Sequence, residues 1–220
     1  MSKTTRSYNQ FCALAKALDI VGERWTLLIA RELLSGPKRF TDLHDALPGI
    51  GTNLLSTRMK EMERHGLVAR AKLPPPAASA VYELTERGRE LGNVLGALTQ
   101  WGFSLLGAPE PGEYFQPRWV MQALLFTFVP EKADGISETY QFQIDGEAFY
   151  FRVSDGKAEG QLGLAPNPDL LVIASSEEFL TMGFGDNQAE FVQQHDLIKK
   201  GDLEALHRFG SIFGVRRDGP

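Results

Sequence analysis

Residues Thr52 to Gly66 read TNLLSTRMKEMERHG and have the pattern of an amphipathic helix. At about 100° per helical residue, its large apolar side chains Leu55, Met59 and Met62 fall on one side. Thr52 can cap the start of this helix, and Gly66 can end it in a left-handed conformation. The opposite face carries hydrogen-bonding groups first and basic groups further along, namely Asn53, Ser56, Thr57, Lys60 and Arg64.

Two interpretations of this outer face are open from the helix alone. It has the order of groups that suits the DNA major groove, where residues near a helix start meet base edges. It would also serve as the solvated face of an ordinary surface helix. The sequence on either side of the helix is therefore needed to distinguish a DNA-reading face from a solvated one.

Three shorter helical segments precede this helix. Residues 8–21 and 24–34 carry apolar side chains at helical spacing, and the second segment stops at Gly36-Pro37. A short amphipathic piece spans 39–47, and Pro48 to Gly51 form a turn. These segments predict a bundle of helices that leads into the helix at 52–65.

Two alternating segments follow it. Residues 67–72 and 81–84 alternate apolar with polar or small side chains, and a proline-rich loop at 74–79 separates them. Thr85 can cap a further helix that extends towards Leu105. The order of four helices, a hairpin and a helix predicts a winged helix-turn-helix module.

Composition divides the chain into two parts. Of 220 residues, 1–107 hold 14 Lys and Arg against 10 Asp and Glu, whereas 108–220 hold 9 against 18. We therefore predict two domains, 1–107 and 108–220, joined at the Pro- and Gly-rich segment 107–112. The basic first half suits a polyanion, which the acidic second half would repel.

The sequence argues against several classes of function. The single Cys12 excludes an internal disulfide, and no apolar run approaches the ~20 residues that span a membrane. The N-terminus lacks an apolar signal-peptide core, so we expect a cytoplasmic protein without a membrane partner. No nucleophile, phosphate-loop or histidine spacing typical of catalysis or metal binding is present, so we expect no enzyme, metal or cofactor.

An ordered set of motifs makes residues 8–105 resemble the HxlR-type winged-helix regulators, which are relatives of the MarR-type repressors. The motifs are Cys12, LDIVGERW at 18–25, RFTDL at 39–43, LPGI at 47–50, LSTRMKEMERHGLV at 55–68 and YELTERG at 82–88. The resemblance implies a transcriptional regulator that binds DNA as a homodimer, with the terminal helices of this domain at the dimer interface. The sequence departs from the family at Ala13, where relatives usually have proline, and at the Pro74-Pro75-Pro76 loop.

We predict a DNA-contact set on this basis. Asn53, Ser56 and Thr57 would meet base edges of a pseudo-palindromic double-stranded operator. The remaining members would contact phosphates or lie beside the groove, namely Arg39, Thr52, Arg58, Lys60, Arg64, Arg70 and Lys72. The predicted dimer face on the last helix comprises Leu91, Val94, Leu95, Leu98, Trp101 and Leu105.

Cys12 has two open interpretations. Resemblance to the family makes it a candidate redox thiol, since some relatives use a cysteine at this place as a sensor. A small apolar side chain buried between Phe11 and Leu14 would have the same sequence signature.

The second half predicts a sheet with helices on it. Residues 140–144, 148–153, 158–164 and 170–174 have strand character, with Asp-Gly hairpin signals at 145–146 and 155–156. Helices are expected from near Pro117, after Ser175 or Ser176, and near 188–194 and 202–213. This half resembles the sterol-carrier-protein-like fold, whose strands and helices shelter an apolar cavity. The whole chain is thus predicted to be α+β, with a mostly antiparallel sheet in the second domain.

Phenylalanine is concentrated in this half, which holds 11 of the 14. These side chains either fill a core or line a pocket for an apolar effector. The candidate pocket residues are Phe126, Phe142, Phe149, Phe151, Phe179 and Phe184. An apolar-ligand carrier, or an interaction protein whose first half does not read DNA, is the alternative to a regulator.

Overall fold

The computed structural model describes residues 7–74, 78–107, 110, 112–184 and 188–214. By its internal contacts the chain divides into two compact units, Met1–Leu95 and Gly96–Pro220. The division falls inside one continuous helix, Leu91–Phe103. The functional boundary at residue 107 stays a prediction, and part of the 107–112 segment lies outside the described residues.

The first unit is a winged helix-turn-helix, as the order of sequence patterns predicts. Its elements are α1 Ala13–Val21, α2 Thr26–Leu34, α3 Phe40–Ala46, α4 Thr52–Arg64, β1 Val68–Lys72, β2 Ala80–Leu84, α5 Glu86–Arg89 and the start of α6 Leu91–Phe103. β1 and β2 pair antiparallel. The tip of the wing at 75–77, with most of the triple-proline loop, lies outside the described residues.

The apolar stripes of the helices form the core of this unit. Leu33 on α2, Leu43 on α3 and Leu55 on α4 are buried, together with Val68 and Leu84 from the wing strands. Helical spacing of these residues is what places them on one side of each helix. The polar stripe of α4 is therefore left on the outside.

Sequence patterns missed two details of this unit. Lys38 forms a bridge with Tyr82, with backbone N–O distances of 3.0 and 2.8 Å, which adds a third short segment to the wing sheet. The single helix expected after Thr85 is two helices that meet at Glu90. Thr85 caps the first of them as predicted, because its Oγ1 accepts a hydrogen bond from the Gly88 N–H at 3.1 Å.

The second unit is a five-stranded sheet with helices. The elements that follow the end of α6 are α7 Pro117–Phe126, a 3-10 turn Pro130–Lys132, β3 Glu138–Ile144, β4 Glu147–Ser154, β5 Lys157–Leu162, β6 Leu170–Ala174, α8 Ser176–Phe184, α9 Gln188–Gln194, β7 Ile198–Lys200 and α10 Leu203–Ile212. The strand order is β5-β4-β3-β6-β7. The sheet is mixed, because β3 pairs parallel with β6 while the other three pairs are antiparallel.

The hairpins of this sheet form where the sequence signals them. Asp145 and Gly146 have φ values of 48° and 83°, and Asp155 and Gly156 have 51° and 68°. Two successive left-handed residues match the right-handed twist of the flanking strands, which explains the Asp-Gly preference. The apolar face of the sheet is buried, with Tyr140, Phe142, Phe149, Phe151 and Val172 among its members.

Candidate nucleic-acid interface

Helices α3 and α4 and the turn between them form the helix-turn-helix. Leu47 and Ile50 in the turn are buried, and Gly49 has φ of 88°, a left-handed conformation that glycine adopts without strain. On α4, Leu55, Met59 and Met62 are at most 2% exposed. These anchors fix which face of α4 points outwards.

The outer face of α4 carries most of the predicted contact set. Thr52, Asn53, Thr57, Lys60 and Arg64 are exposed, and Ser56 is half-buried. The Thr57 hydroxyl donates to the backbone carbonyl of Asn53 at 2.9 Å, which satisfies one of the groups on this face. The first two turns thus present short polar side chains, and the basic groups lie further along, as the sequence predicts.

Arg58 is engaged by protein partners. Its Nη2 donates to Glu23 Oε2 and its Nη1 to Glu61 Oε2, both at 2.6 Å, while its Nε donates to the Arg24 carbonyl at 3.1 Å. The side chain is 11% exposed. Three of the five guanidinium N–H donors are thus engaged within the protein, and the predicted phosphate contact of Arg58 stays a prediction.

The first wing strand carries two of the predicted basic contacts. Arg70 Nε donates to Glu63 Oε1 at 2.8 Å, and its guanidinium lies 5.4 Å from the centre of the Tyr82 ring. Arg70 and Lys72 are both exposed. Arg39 is exposed at the start of α3, where its backbone N–H donates to Asp42 Oδ2 at 2.9 Å.

The C-terminal end of α4 is held by basic residues. Arg64 Nη2 lies 2.7 Å from His65 Nε2, and Arg87 Nη1 donates to the His65 carbonyl at 3.2 Å. Burial and the charges of Arg64 and Arg87 lower the pKa of His65, so the neutral ring can accept the hydrogen bond from Arg64. Arg64 therefore lies at the C-terminal end of the outer face of α4, with His65 as a partner.

The Cys12 side chain is exposed at the N-cap of α1. Its neighbours Phe11 and Leu14 are exposed as well. The interpretation of Cys12 as a buried apolar side chain is therefore wrong for the single chain. The candidate redox role stays a prediction.

Large apolar side chains also remain exposed on α6. Val94 and Leu98 are each 44% exposed, Trp101 is 66% exposed, and Leu105, just after the helix, is exposed too. Helical spacing places Val94, Leu98 and Trp101 on one stripe of α6, and Leu105 follows just beyond the end of the helix. Leu95, a member of the predicted dimer face, is instead buried within the chain.

In the second unit, four of the six candidate pocket residues are packed in the core, namely Phe142, Phe149, Phe151 and Phe179. The rings of Phe142 and Phe149 stack at 5.5 Å, Phe151 contacts both, and Phe142 meets Phe179 at 6.0 Å. Helix α10 adds Phe209, 4.8 Å from Phe142. These contacts favour the core-filling alternative. Phe126 is half-buried, and the side chain of Phe184 lies outside the described residues.

Two further observations concern partners of other kinds. None of the helices in the described part of the chain is both long and apolar enough to cross a membrane. Within the same ranges, no group of three or more His, Cys, Asp or Glu is placed to hold a metal ion.

Comparison with known proteins finds a family match in each half of the chain. Residues 20–109 match the family described as HxlR-like helix-turn-helix, and residues 125–214 match the SCP-2 sterol transfer family. Both resemblances seen in the sequence are thereby confirmed.

Similar proteins from several bacteria cover the first half. The HTH-type transcriptional regulator YvaP of Bacillus subtilis (strain 168) is 40% identical over 86 residues, which is 39% of this chain and 80% of YvaP. The HTH-type transcriptional regulator YodB of the same strain is 34% identical over 106 residues, 48% of this chain and 92% of YodB. A solved structure of reduced YodB covers 47% of this chain and 100% of that chain, at 33% identity and a TM-score of 0.39. Because YvaP and YodB are 40% and 34% identical to this chain over most of their own length, and residues 20–109 match the family model, the chain belongs to the HxlR-like helix-turn-helix family.

Proposed function

We propose that this protein is a cytoplasmic, homodimeric transcriptional regulator that binds a specific double-stranded DNA operator. The observation that carries the proposal is the outer face of α4, where Asn53, Thr57 and Lys60 are exposed while the apolar stripe is buried. The family membership supports it, since the curated relatives are HTH-type transcriptional regulators.

The contacts divide by chemistry. Asn53 and Thr57 lie in the first turns of α4, where a reading helix meets base edges, and Ser56 and Thr52 flank them. Lys60 is exposed and forms no ion pair within the described residues, so it is available for a phosphate. Arg39, Arg64, Arg70 and Lys72 would add phosphate contacts at α3, at the end of α4 and on the wing.

The first test combines operator selection with two substitutions. Genomic fragments retained by the full-length protein would be sequenced and footprinted, and affinity would then be measured on the best site. Asn53→Ala should lower affinity by ~1–3 kcal/mol and relax the preference at one base position. Lys60→Ala should weaken all sequences alike and reduce the salt slope by about one unit.

Lys132→Ala is the matched control, because it removes an exposed lysine from the second unit. It should leave affinity and salt slope unchanged. Equal footprints and affinities for the wild type and the Asn53→Ala, Lys60→Ala double variant would reject α4 as the reading helix.

A second copy of the chain would cover the exposed apolar stripe of α6 and the apolar residues around the start of α1. Three large apolar side chains in one stripe, followed by the exposed Leu105, are costly to leave in water, and such stripes mark interfaces. A twofold dimer presents two equivalent reading helices, so the operator should be a pseudo-palindrome with half-sites about 34–36 Å apart, or a multiple of this. Footprints that contain no inverted repeat would contradict the symmetric dimer.

We also propose that the second unit senses an apolar small molecule. The match of 125–214 to a sterol transfer family and the many phenylalanines favour this. Because the rings of Phe142, Phe149 and Phe151 contact one another, a ligand among them would have to displace side chains.

The rival function is that of an apolar-ligand carrier whose first half does not read DNA. A titration of DNA affinity against ionic strength separates the two. A carrier of net charge −5 should not retain specific DNA binding at physiological salt, whereas a regulator should.

A further inference from the structure

The corner between α1 and α2 is an unusual piece of backbone. It spans residues 22–25, between the end of α1 at Val21 and the start of α2 at Thr26. Trp25 has φ of 81° and ψ of −22°, a left-handed conformation that is strongly disfavoured for a bulky aromatic residue. Such a conformation persists only where the surroundings hold it in place.

Arg58 on α4 forms hydrogen bonds with two residues of this corner. It reaches back 35 residues in sequence to bond the Glu23 carboxylate at 2.6 Å, and its Nε bonds the Arg24 carbonyl at 3.1 Å. That carbonyl belongs to the peptide unit that leads into Trp25. Within the corner, the Arg24 guanidinium lies 5.2 Å from the centre of the Trp25 ring.

The same guanidinium is tied to its own helix. Glu61, one turn further along α4, accepts from Nη1 at 2.6 Å. Arg58 therefore joins two carboxylates and one backbone carbonyl through all three of its nitrogens. Planar, forked donor geometry of this kind fixes orientation as well as distance, and a lysine cannot reproduce it.

We propose that Arg58 is a positioning residue, which fixes the rotation and seat of the reading helix α4 against the α1–α2 corner without contacting DNA. The inference rests on the proposed function, because positioning matters only if α4 reads DNA. It differs from a phosphate contact in its consequences. Loss of a phosphate contact lowers the dependence of affinity on salt, whereas loss of a positioning residue lowers affinity at unchanged salt dependence.

The experiment uses full-length protein with Arg58→Gln, Arg58→Lys, Glu23→Gln and the double variant Arg58→Gln, Glu23→Gln. Affinity for the selected operator is measured over a range of salt concentrations. Arg58→Gln should lose about tenfold in affinity, the scale of one charge-assisted hydrogen bond, with the wild-type salt slope. Arg58→Lys should behave like Arg58→Gln, and the double variant should be no worse than Arg58→Gln alone, since both substitutions break one linkage.

Three results would overturn the proposal. They are a salt slope reduced by about one unit in Arg58→Gln, recovery of affinity in Arg58→Lys, and additive losses in the double variant. Arg208→Gln is the control, because it removes an arginine that pairs with Glu138 at 2.9 Å in the second unit. It should leave operator affinity unchanged. If Arg58→Gln does not fold, Glu23→Gln tests the same linkage. The carboxylate of Glu23 is half-exposed, so we expect this variant to fold.

Amide hydrogen exchange without DNA separates this inference from the proposed function. In Arg58→Gln and Glu23→Gln, exchange should become faster in residues 23–26 and in α4, and in Arg208→Gln it should stay as in the wild type. Unchanged exchange in both Arg58→Gln and Glu23→Gln would overturn the positioning role whatever the DNA result. Faster exchange together with a wild-type protein that retains no operator would instead reject the regulator.

Discussion

At the scale of single residues, Gly88 shows how closely the parts of the winged module fit. A Cβ atom built on Gly88 would overlap the backbone carbonyl oxygen of Leu67 and approach Leu84 Cδ2 at 3.1 Å. Neither the Leu67 backbone nor the Leu84 side chain can shift easily to make room, because both residues are buried. This explains a glycine at the end of the YELTERG motif.

We therefore expect Gly88→Ala to lower the free energy of unfolding of the first unit by ~1–3 kcal/mol, the usual effect of overpacking. Gly92→Ala is the control, since its added Cβ would meet only Leu34 Cδ2 at an ordinary 3.8 Å within a helix. It should be neutral or slightly stabilising. Urea unfolding followed by circular dichroism would measure both, and equal stability of the two variants would contradict the steric account.

The candidate contact residues divide into those that the sequence predicts well and those that it does not. The exposure of Asn53, Thr57 and Lys60 follows from helical periodicity, because the buried stripe of α4 fixes its opposite face. The partners of Arg58 could not be predicted in this way. Glu23 is 35 positions away, and only the fold brings its carboxylate to the guanidinium.

At the scale of secondary structure, α6 leaves large apolar side chains exposed in the single chain. Trp101, 66% exposed, is the largest member of its stripe. Trp101→Glu should shift the protein from dimer to monomer at micromolar concentration, because burying an unpaired carboxylate at an interface is strongly unfavourable. Analytical ultracentrifugation would measure the change.

Asn93→Glu is the matched control for that substitution. Asn93 is exposed on the same helix but lies about a quarter turn from the stripe. It should leave the dimer intact. A wild-type protein that sediments as a monomer, or a Trp101→Glu variant that sediments as a dimer, would remove α6 from the interface.

Among the elements, those with strong local signals were predicted and those fixed by long-range pairing were not. Strand β6 was predicted at 170–174 because a short apolar run marks a buried strand. Strand β7 was missed, since it has only three residues, two of them exposed lysines. The parallel pairing of β3 with β6 made the sheet mixed, and no local pattern reports which strands become neighbours.

At the scale of the whole molecule, the two parts of the chain carry opposite net charge. The first 107 residues have a net charge of +4, and the remaining residues have −9. Phosphates attract the first part and repel the second, so we expect the second domain to stay off the duplex. Its influence on DNA binding would then have to pass through the chain, by way of α6 and the segment that follows it.

For the second unit to regulate DNA binding, it must do more than bind a ligand. An apolar ligand changes operator affinity only if it binds the DNA-competent and DNA-incompetent states differently, however tightly it binds. Coupling of ~1–3 kcal/mol, which is typical of allostery, would change operator affinity roughly 5–150-fold. Because α6 continues from the first unit into the second, a shift transmitted along it would alter the spacing of the two reading helices in a dimer.

We therefore expect that full-length protein purified without detergent retains an apolar molecule. Added cellular lipid extract should change its operator affinity roughly 5–150-fold. Native mass spectrometry would detect retention, and fluorescence anisotropy on the selected operator would measure affinity. Phe142→Ala, which opens space in the ring cluster, should change the ligand effect while Lys132→Ala leaves it intact. If the protein retains no lipid and no extract changes affinity, the rings of Phe142, Phe149 and Phe151 serve only as a core. The second unit would then act on DNA binding only by supporting the fold or the dimer.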